Sequence, residues 1–154
     1  MLNTTQWKDH CLPDLRTLQG KRVIVRLDWN LPVNEGKISD TSRFDVTVPF
    51  LKQLSQSGAK IILLTHIGEK GESLSPVAHH ATETLPFISF TESKEFNELQ
   101  EKISTLQNGD ALLLENVRLF EGETDGSDSL AEAFASLGDV FINNAFSVAH
   151  RKHS

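Results

Sequence analysis

The sequence has little that would indicate an oxidised or membrane-bound protein. Its 154 residues include one cysteine, Cys11, so no internal disulfide can form and nothing indicates an oxidising compartment. The longest aliphatic run, Ile61 to Leu64, is far shorter than the roughly 20 residues of a membrane-spanning helix. The first ten residues contain no apolar signal segment. We therefore expect a soluble, cytoplasmic chain that does not bind a membrane.

Net positive charge is also missing. Fifteen basic residues against 21 acidic ones give a net charge of −6, whereas a nucleic-acid-binding surface needs a basic face, so we expect no nucleic-acid partner. Neither glycine-rich phosphate-binding pattern, GxGxxG nor GxxxxGKS, occurs, and we expect no nucleotide cofactor on this chain. His150 and His153 are three residues apart, but no further ligand is spaced to complete a metal site.

Short apolar runs alternate with helical patterns along the chain. Because 38% of the residues are apolar, a single domain of this length can bury a core. Four of the five strand-like runs are almost continuously apolar, which is typical of parallel strands covered on both faces. The predicted strands are Arg22 to Leu27, Lys60 to Thr65, Leu85 to Phe90, Ala111 to Leu114 and Asp139 to Asn143.

Four helices are predicted between these strands. Their apolar residues recur at helical spacing, and Pro49 inside the first one predicts a late start or a kink. Ser75-Pro76 is typical of an N-cap followed by proline at the first helical position. The segments are 42 to 57, a helix from 75, 96 to 106 and 127 to 137. The alternation predicts an α/β fold, a three-layer Rossmann-like domain with a mainly parallel sheet.

Polar and basic residues follow the predicted strands. Open parallel sheets bind ligands at the carboxyl ends of their strands, so these residues are the candidate site. They are Arg26, Asp28 and Asn30 at and beyond the end of the first strand, Arg43 at the start of the first helix, His66 after the second strand, Arg118 after the fourth, and Arg151 near the end. Residues 1 to 66 carry 9 basic and 6 acidic side chains, whereas residues 67 to 139 carry 4 and 15.

This partition of charge favours a small, multiply anionic ligand. Arginine binds phosphate and carboxylate groups through paired N–H donors, and Asp28 and Asn30 could orient a ligand's hydroxyl groups. The alternative is that the arginines form a solvated rim spread over different faces of the domain.

The segment Lys21 to Pro32 resembles the first-strand signature of phosphoglycerate kinase, a strand followed by an Arg-x-Asp-x-Asn-x-Pro loop. Four further segments agree with that family in order and spacing. They are Ile38 to Phe44, Gly58 to Gly68, Leu114 to Arg118 and Ala145 to Arg151. The resemblance covers almost the whole chain and is weakest between residues 69 and 106.

The resemblance implies transfer of the acyl phosphate of 1,3-bisphosphoglycerate to Mg-ADP, which yields 3-phosphoglycerate and ATP in glycolysis. It implies that residues 1 to 154 form the N-terminal, phosphoglycerate-binding domain, truncated at its C-terminal end. The substrate-binding residues it implies are Asp28, Asn30, Arg43, His66, Arg118 and Arg151. Arg43 matches the family's catalytic arginine.

The chain also departs from the family pattern. The Mg-ADP or Mg-ATP site of the family lies in a C-terminal nucleotide domain that this chain lacks, so we expect the chain alone to be inactive. Glu69-Lys70 replaces the family's Arg-Pro, while Asn144 and Ser147 replace an aspartate and a glycine. The alternative function is a non-catalytic remnant that serves as an anion-binding or protein-interaction module. The early stop also predicts exposed apolar surface and self-association.

Overall fold

The structure, a computed structural model, describes residues 13–69, 71–123 and 125–145. Within these ranges the strands are β1 (Arg22–Leu27), β2 (Val33–Asn34), β3 (Lys37–Ile38), β4 (Lys60–Leu64), β5 (Ile88–Phe90), β6 (Ala111–Leu113) and β7 (Val140–Asn144). The helices are α1 (Ser42–Asp45), α2 (Val48–Gln56), α3 (Ser75–Thr84), α4 (Phe96–Ser104) and α5 (Asp128–Ala135). Short 3-10 helices occupy Leu15–Thr17 and Val117–Leu119.

The main sheet has five strands in the order β5-β6-β4-β1-β7. Every neighbouring pair in it is parallel, so the predicted parallel sheet is confirmed. The chain leaves β1 toward β4 on one side and returns through β7 on the other. The strand order therefore reverses at β1, and the crevice outside the carboxyl ends at such a reversal is where open α/β sheets bind ligands.

Helices cover both faces of the sheet. One face packs Val23, Val25 and Leu27 of β1 among buried residues of α2 and α3. The opposite face packs Ile24 of β1 among buried residues of α4 and α5. Because side chains alternate along a strand, β1 supplies both cores, which explains its nearly continuous apolar sequence. The three-layer, Rossmann-like α/β prediction is confirmed.

Local structure departs from the predicted boundaries at several points. The residues after β1 form a hairpin, β2 with β3, that was not predicted; Glu35 and Gly36 at its turn have φ of 51° and 76°, as a two-residue primed turn requires. The first predicted helix is interrupted, and Pro49 stands at the start of α2, so the expected late start is confirmed.

Two predicted boundaries were wrong. Ser75 is the first residue of α3 rather than its N-cap, and Leu74 is the capping residue. The run that begins at Leu85 is not strand throughout, because the Leu85 N–H still bonds the Ala81 carbonyl at the end of α3. The local apolar composition conceals this helix end.

Large apolar side chains are exposed at two positions of the described residues. Val46 between α1 and α2 is 77% exposed, and Phe141 on the edge strand β7 is 60% exposed. Self-association through such surface stays a prediction. No helix in the described ranges is both long and apolar enough to cross a membrane.

Asp139 joins the start of β7 to the start of β1. Its carboxylate accepts hydrogen bonds from the Arg22 backbone N–H (2.9 Å) and from Arg22 Nη2 (2.7 Å). The side-chain hydrogen bond from Arg22, followed by the backbone one, lowers the pKa of Asp139 below the ordinary 3.8. The ionised form is thus favoured in the folded chain, and the stability it confers is lost as the pH falls through this lowered pKa.

We expect Asp139→Asn to lower the free energy of unfolding by about 0.5–1 kcal/mol at neutral pH, a small effect because solvent screens the pair. The two side chains are 42% and 44% exposed. Thermal denaturation at about pH 7 and about pH 3 measures this, and the difference from wild type should shrink at the lower pH. An equal difference at both pH values would contradict the assignment to charge.

Candidate anion-binding site

The loop after β1 is anchored by Trp29, which is completely buried. Its backbone N–H donates to Thr65 Oγ1 (2.9 Å) and its indole N–H donates to Thr47 Oγ1 (3.0 Å). Asp28 and Asn30 flank it and are only half-buried. Burial of the tryptophan therefore holds the two polar side chains at the carboxyl edge of the sheet.

Arg43 on α1 reaches this loop and pairs with Asp28. Its Nη1 lies 3.1 Å from both carboxylate oxygens of Asp28, and its side chain is 54% exposed. The next residue, Phe44, is buried with its ring centroid 4.8 Å from that of Trp29. The Thr47 hydroxyl also donates to the Phe44 carbonyl (2.7 Å). The helix that carries Arg43 is thus packed directly on the β1 loop.

Gly68 connects the ends of three strands. Its N–H donates to Asn30 Oδ1 (3.0 Å), and its carbonyl accepts a hydrogen bond from Arg118 Nη1. Asn30 follows β1, Gly68 follows β4 and Arg118 follows β6, so the predicted convergence of these residues at the carboxyl edge holds in the structure. With Asp28 and Arg43, they form what we call the strand-end site.

Glu115 and Asn116, in the segment that follows β6, position the loop that contains Gly68. Asn116 is completely buried; its Nδ2 donates to the carbonyls of Ile67 (2.9 Å) and Glu72 (2.8 Å), and its Oδ1 accepts from the Arg118 N–H (3.2 Å). The Glu115 carboxylate accepts hydrogen bonds from the Leu74 N–H (2.6 Å) and from the hydroxyl of the preceding residue, Ser73. We call these two residues the β6 clamp.

Sequence reasoning missed the β6 clamp. The one local signal is the Asn-x-Arg spacing, since an asparagine side chain often accepts the N–H two residues on. The clamp's long-range partners carry no sequence signal of their own. They become visible only when β4 and β6 are adjacent, as the structure has them.

The contacts given above do not test two of the predicted site residues. His66 lies two residues before Gly68 and is 3% exposed, so its role in binding stays a prediction. Arg151 lies outside the described residues, as do His150 and His153. Among the described residues, no cluster of three or more His, Cys, Asp or Glu side chains could hold a metal ion.

Arg26 pairs with a carboxylate of the protein, whereas its position at the end of β1 suggests an anionic ligand. Its Nη2 lies 3.0 Å from Glu123 Oε1, and the side chains are 11% and 0% exposed. Burial lowers the pKa of the Arg26 guanidinium, while the carboxylates of Glu123 and Asp28 act in the opposite sense. Arg26 therefore lies near Asp28 and Arg118, as predicted, but its pairing with Glu123 leaves little free positive charge for the strand-end site.

We expect Asn116→Ala to lower the free energy of unfolding by about 2–4 kcal/mol, because buried carbonyls lose their donors. The control is Asn97→Ala on the exposed face of α4, which should stay within about 0.5 kcal/mol of wild type. Urea denaturation measures both. Equal losses in the two variants would show that Asn116 contributes no more to the free energy of unfolding than an exposed asparagine does.

We expect Glu123→Gln to cost about 3 kcal/mol, since it leaves a buried guanidinium without its counter-charge. Glu121→Gln, at an exposed position two residues earlier, is the matched control and should be nearly neutral. The measurement is again the urea midpoint, and unchanged stability of Glu123→Gln would contradict a buried ion pair.

A family model described as phosphoglycerate kinase matches residues 12–154. The phosphoglycerate kinase of Rhizobium leguminosarum bv. trifolii is 40% identical over 150 residues, which cover 93% of this chain and 38% of that protein. The one from Sinorhizobium fredii is 41% identical over the same shares. The chain therefore spans about 38% of the length of these curated relatives.

Solved structures agree with the sequence match. The phosphoglycerate kinase of Coxiella burnetii superposes with a TM-score of 0.77 at 32% identity, covering 88% of this chain and 35% of that one. The enzyme of Pyrococcus horikoshii gives a TM-score of 0.80 at 28% identity, covering 88% and 36%. With the strand-end site at the carboxyl edge of the same sheet, this chain belongs to the phosphoglycerate kinase family.

Proposed function

We propose that the chain is the phosphoglycerate-binding half of a phosphoglycerate kinase. It binds 3-phosphoglycerate or 1,3-bisphosphoglycerate at the strand-end site, for transfer of the acyl phosphate to ADP. The observation that carries this proposal is the convergence of Arg43, Asn30 and Arg118 around Asp28 and Gly68, in a chain matched to the family over residues 12–154.

The chemistry of the site suits a ligand with both anionic and hydroxyl groups. A guanidinium carries five N–H donors, and Arg43 contacts Asp28 through Nη1. The other nitrogens of this planar guanidinium can bind phosphoryl oxygens. Asp28 accepts hydrogen bonds and so can orient a ligand hydroxyl. His66 and Arg151 complete the proposed set of substrate-binding residues.

Arg43 is proposed to act in catalysis as well as in binding. Phosphoryl transfer depends mainly on positioning and on neutralising charge that develops on the equatorial oxygens. Arg43 is half-exposed at the mouth of the site, and its helix is fixed by the packing of Phe44 on Trp29. It can therefore present its guanidinium to a phosphoryl group without a large conformational cost.

The nucleotide is assigned to a separate domain. The sequence has no glycine-rich phosphate loop, and the described residues contain no carboxylate cluster suited to Mg²⁺. The described residues therefore do not fit Mg-ADP or Mg-ATP as a ligand. We propose that a C-terminal nucleotide domain supplies it and that the chain alone does not transfer phosphate.

Glu69 favours a second candidate function. It is exposed directly after Gly68, at the position where the family resemblance implies an arginine. A carboxylate there repels an anionic ligand, so the alternative is a non-catalytic member that has kept the fold as an anion-binding or protein-interaction module. Measurement of ligand affinity separates a working substrate site from this alternative.

We expect calorimetric titration at low salt to show 3-phosphoglycerate binding, and Arg43→Ala to weaken it at least about 10-fold, because charge-assisted hydrogen bonds are lost. Arg16→Ala is the matched control: Arg16 is also exposed and paired with an aspartate, Asp14, but lies outside the site. It should leave the Kd within about two-fold.

The absence of heat from wild-type protein at millimolar ligand would reject a working substrate site and support the alternative. Equal weakening by Arg43→Ala and Arg16→Ala would show that only the overall charge matters.

A further inference from the structure

The carboxylate of Glu72 lies directly against Gly68. A Cβ placed on Gly68 would be 2.4 Å from Cδ and Oε1 of Glu72 and 2.7 Å from its Oε2. A methyl group cannot approach a carboxylate that closely, so the Glu72 carboxylate occupies the space that a side chain at residue 68 would fill. Gly68 is the residue whose N–H bonds Asn30 and whose carbonyl bonds Arg118.

The β6 clamp holds this part of the loop in place. Asn116 Nδ2 donates to the Glu72 carbonyl (2.8 Å), and Glu115 accepts from the Ser73 hydroxyl (3.0 Å) and from the Leu74 N–H (2.6 Å). Consecutive residues are thus tied to the end of β6 through buried partners. The backbone at Glu72 is therefore fixed beside Gly68, within reach of the Glu72 carboxylate.

The charge of Glu72 is not neutralised by the described residues. No basic side chain among the described residues forms an ion pair with it. Arg118 directs Nη1 to the Gly68 carbonyl instead. The Glu72 carboxylate therefore lies against Gly68, the residue of the strand-end site that Arg118 contacts.

We propose that Glu72 is a specificity-determining residue of the strand-end site. Its carboxylate repels anionic groups that bind beside Arg118 and Gly68, and so it weakens binding most for the most highly charged ligand. This inference rests on the proposed function, because it needs a phosphate-bearing ligand at the strand-end site. It adds a second repulsive residue, 72, to the one at position 69 that the sequence shows.

Electrostatics sets the expected size of the effect. A unit charge about 6 Å from a phosphate, in surroundings between protein surface and water, changes affinity roughly 3- to 10-fold. Because Glu72 is exposed, salt should screen the repulsion strongly, since the Debye length falls from about 10 Å at 0.1 M to about 3 Å at 1 M.

The test compares Glu72→Gln with Glu101→Gln, an exposed glutamate on α4. Each variant removes one negative charge from the net −6, so the pair separates a local effect from a global one. Titration calorimetry with 3-phosphoglycerate and with inorganic phosphate at low salt gives the four Kd values, alongside those of wild type. Thermal denaturation verifies that both variants fold.

We expect Glu72→Gln to bind 3-phosphoglycerate about 3- to 10-fold more tightly than wild type, with a smaller gain for inorganic phosphate and a gain that shrinks at high salt. Glu101→Gln should match wild type. Wild-type binding with no gain in Glu72→Gln overturns the role of Glu72 and leaves the proposed function standing. Absence of heat from both overturns the two together, whereas heat only from Glu72→Gln supports the repulsion.

Discussion

The strand-end site depends on the buried side chain of Asn116 more than on any of its arginines. One amide bonds the carbonyls on either side of Gly68, at Ile67 and Glu72, and also accepts the Arg118 N–H. A loop of this kind cannot form its own hydrogen-bonded ladder, and buried carbonyls without donors are costly. Asn116, which follows the neighbouring strand β6, donates these hydrogen bonds. The same side chain accepts a hydrogen bond from the Arg118 N–H, so it also brings Arg118 to Gly68.

Charge pairing distinguishes the arginines of the proposed anion site. Arg26 is neutralised by the buried Glu123, and Arg43 is paired with the more exposed Asp28. The two pairs differ in how easily an anionic ligand could contact the arginine. The buried pair is held by the low dielectric around it, whereas the half-exposed Arg43 gains little from Asp28 in water. The proposed anionic ligand could therefore recruit Arg43 at small cost, whereas Arg26 stays paired with Glu123.

Much of the fold was predictable from the sequence, because the period and continuity of apolar residues report directly on burial. The parallel sheet and its helices follow from that pattern, and Pro49 marks the break between α1 and α2. The β2–β3 hairpin and the helical end at Leu85 were missed, since a short turn and a shared apolar residue leave little periodic signal. The convergence of Asn30 and Arg118 was predictable from sheet geometry, whereas the pairing of Arg26 was not, because its partner lies 97 residues away.

The two acidic residues at Gly68 show where sequence information ends. Glu69 is recognisable in the sequence because it replaces a family residue inside a motif. Glu72 gives no such signal, and its position depends on the path of the backbone. Gly68 and Gly71 both have positive φ, 60° and 91°, a conformation that other residues adopt only with strain. These glycines turn the chain back on itself, so that residue 72 lies over residue 68. The charge beside Gly68 is therefore set by a turn, and only the folded chain shows that the Glu72 carboxylate lies against this residue.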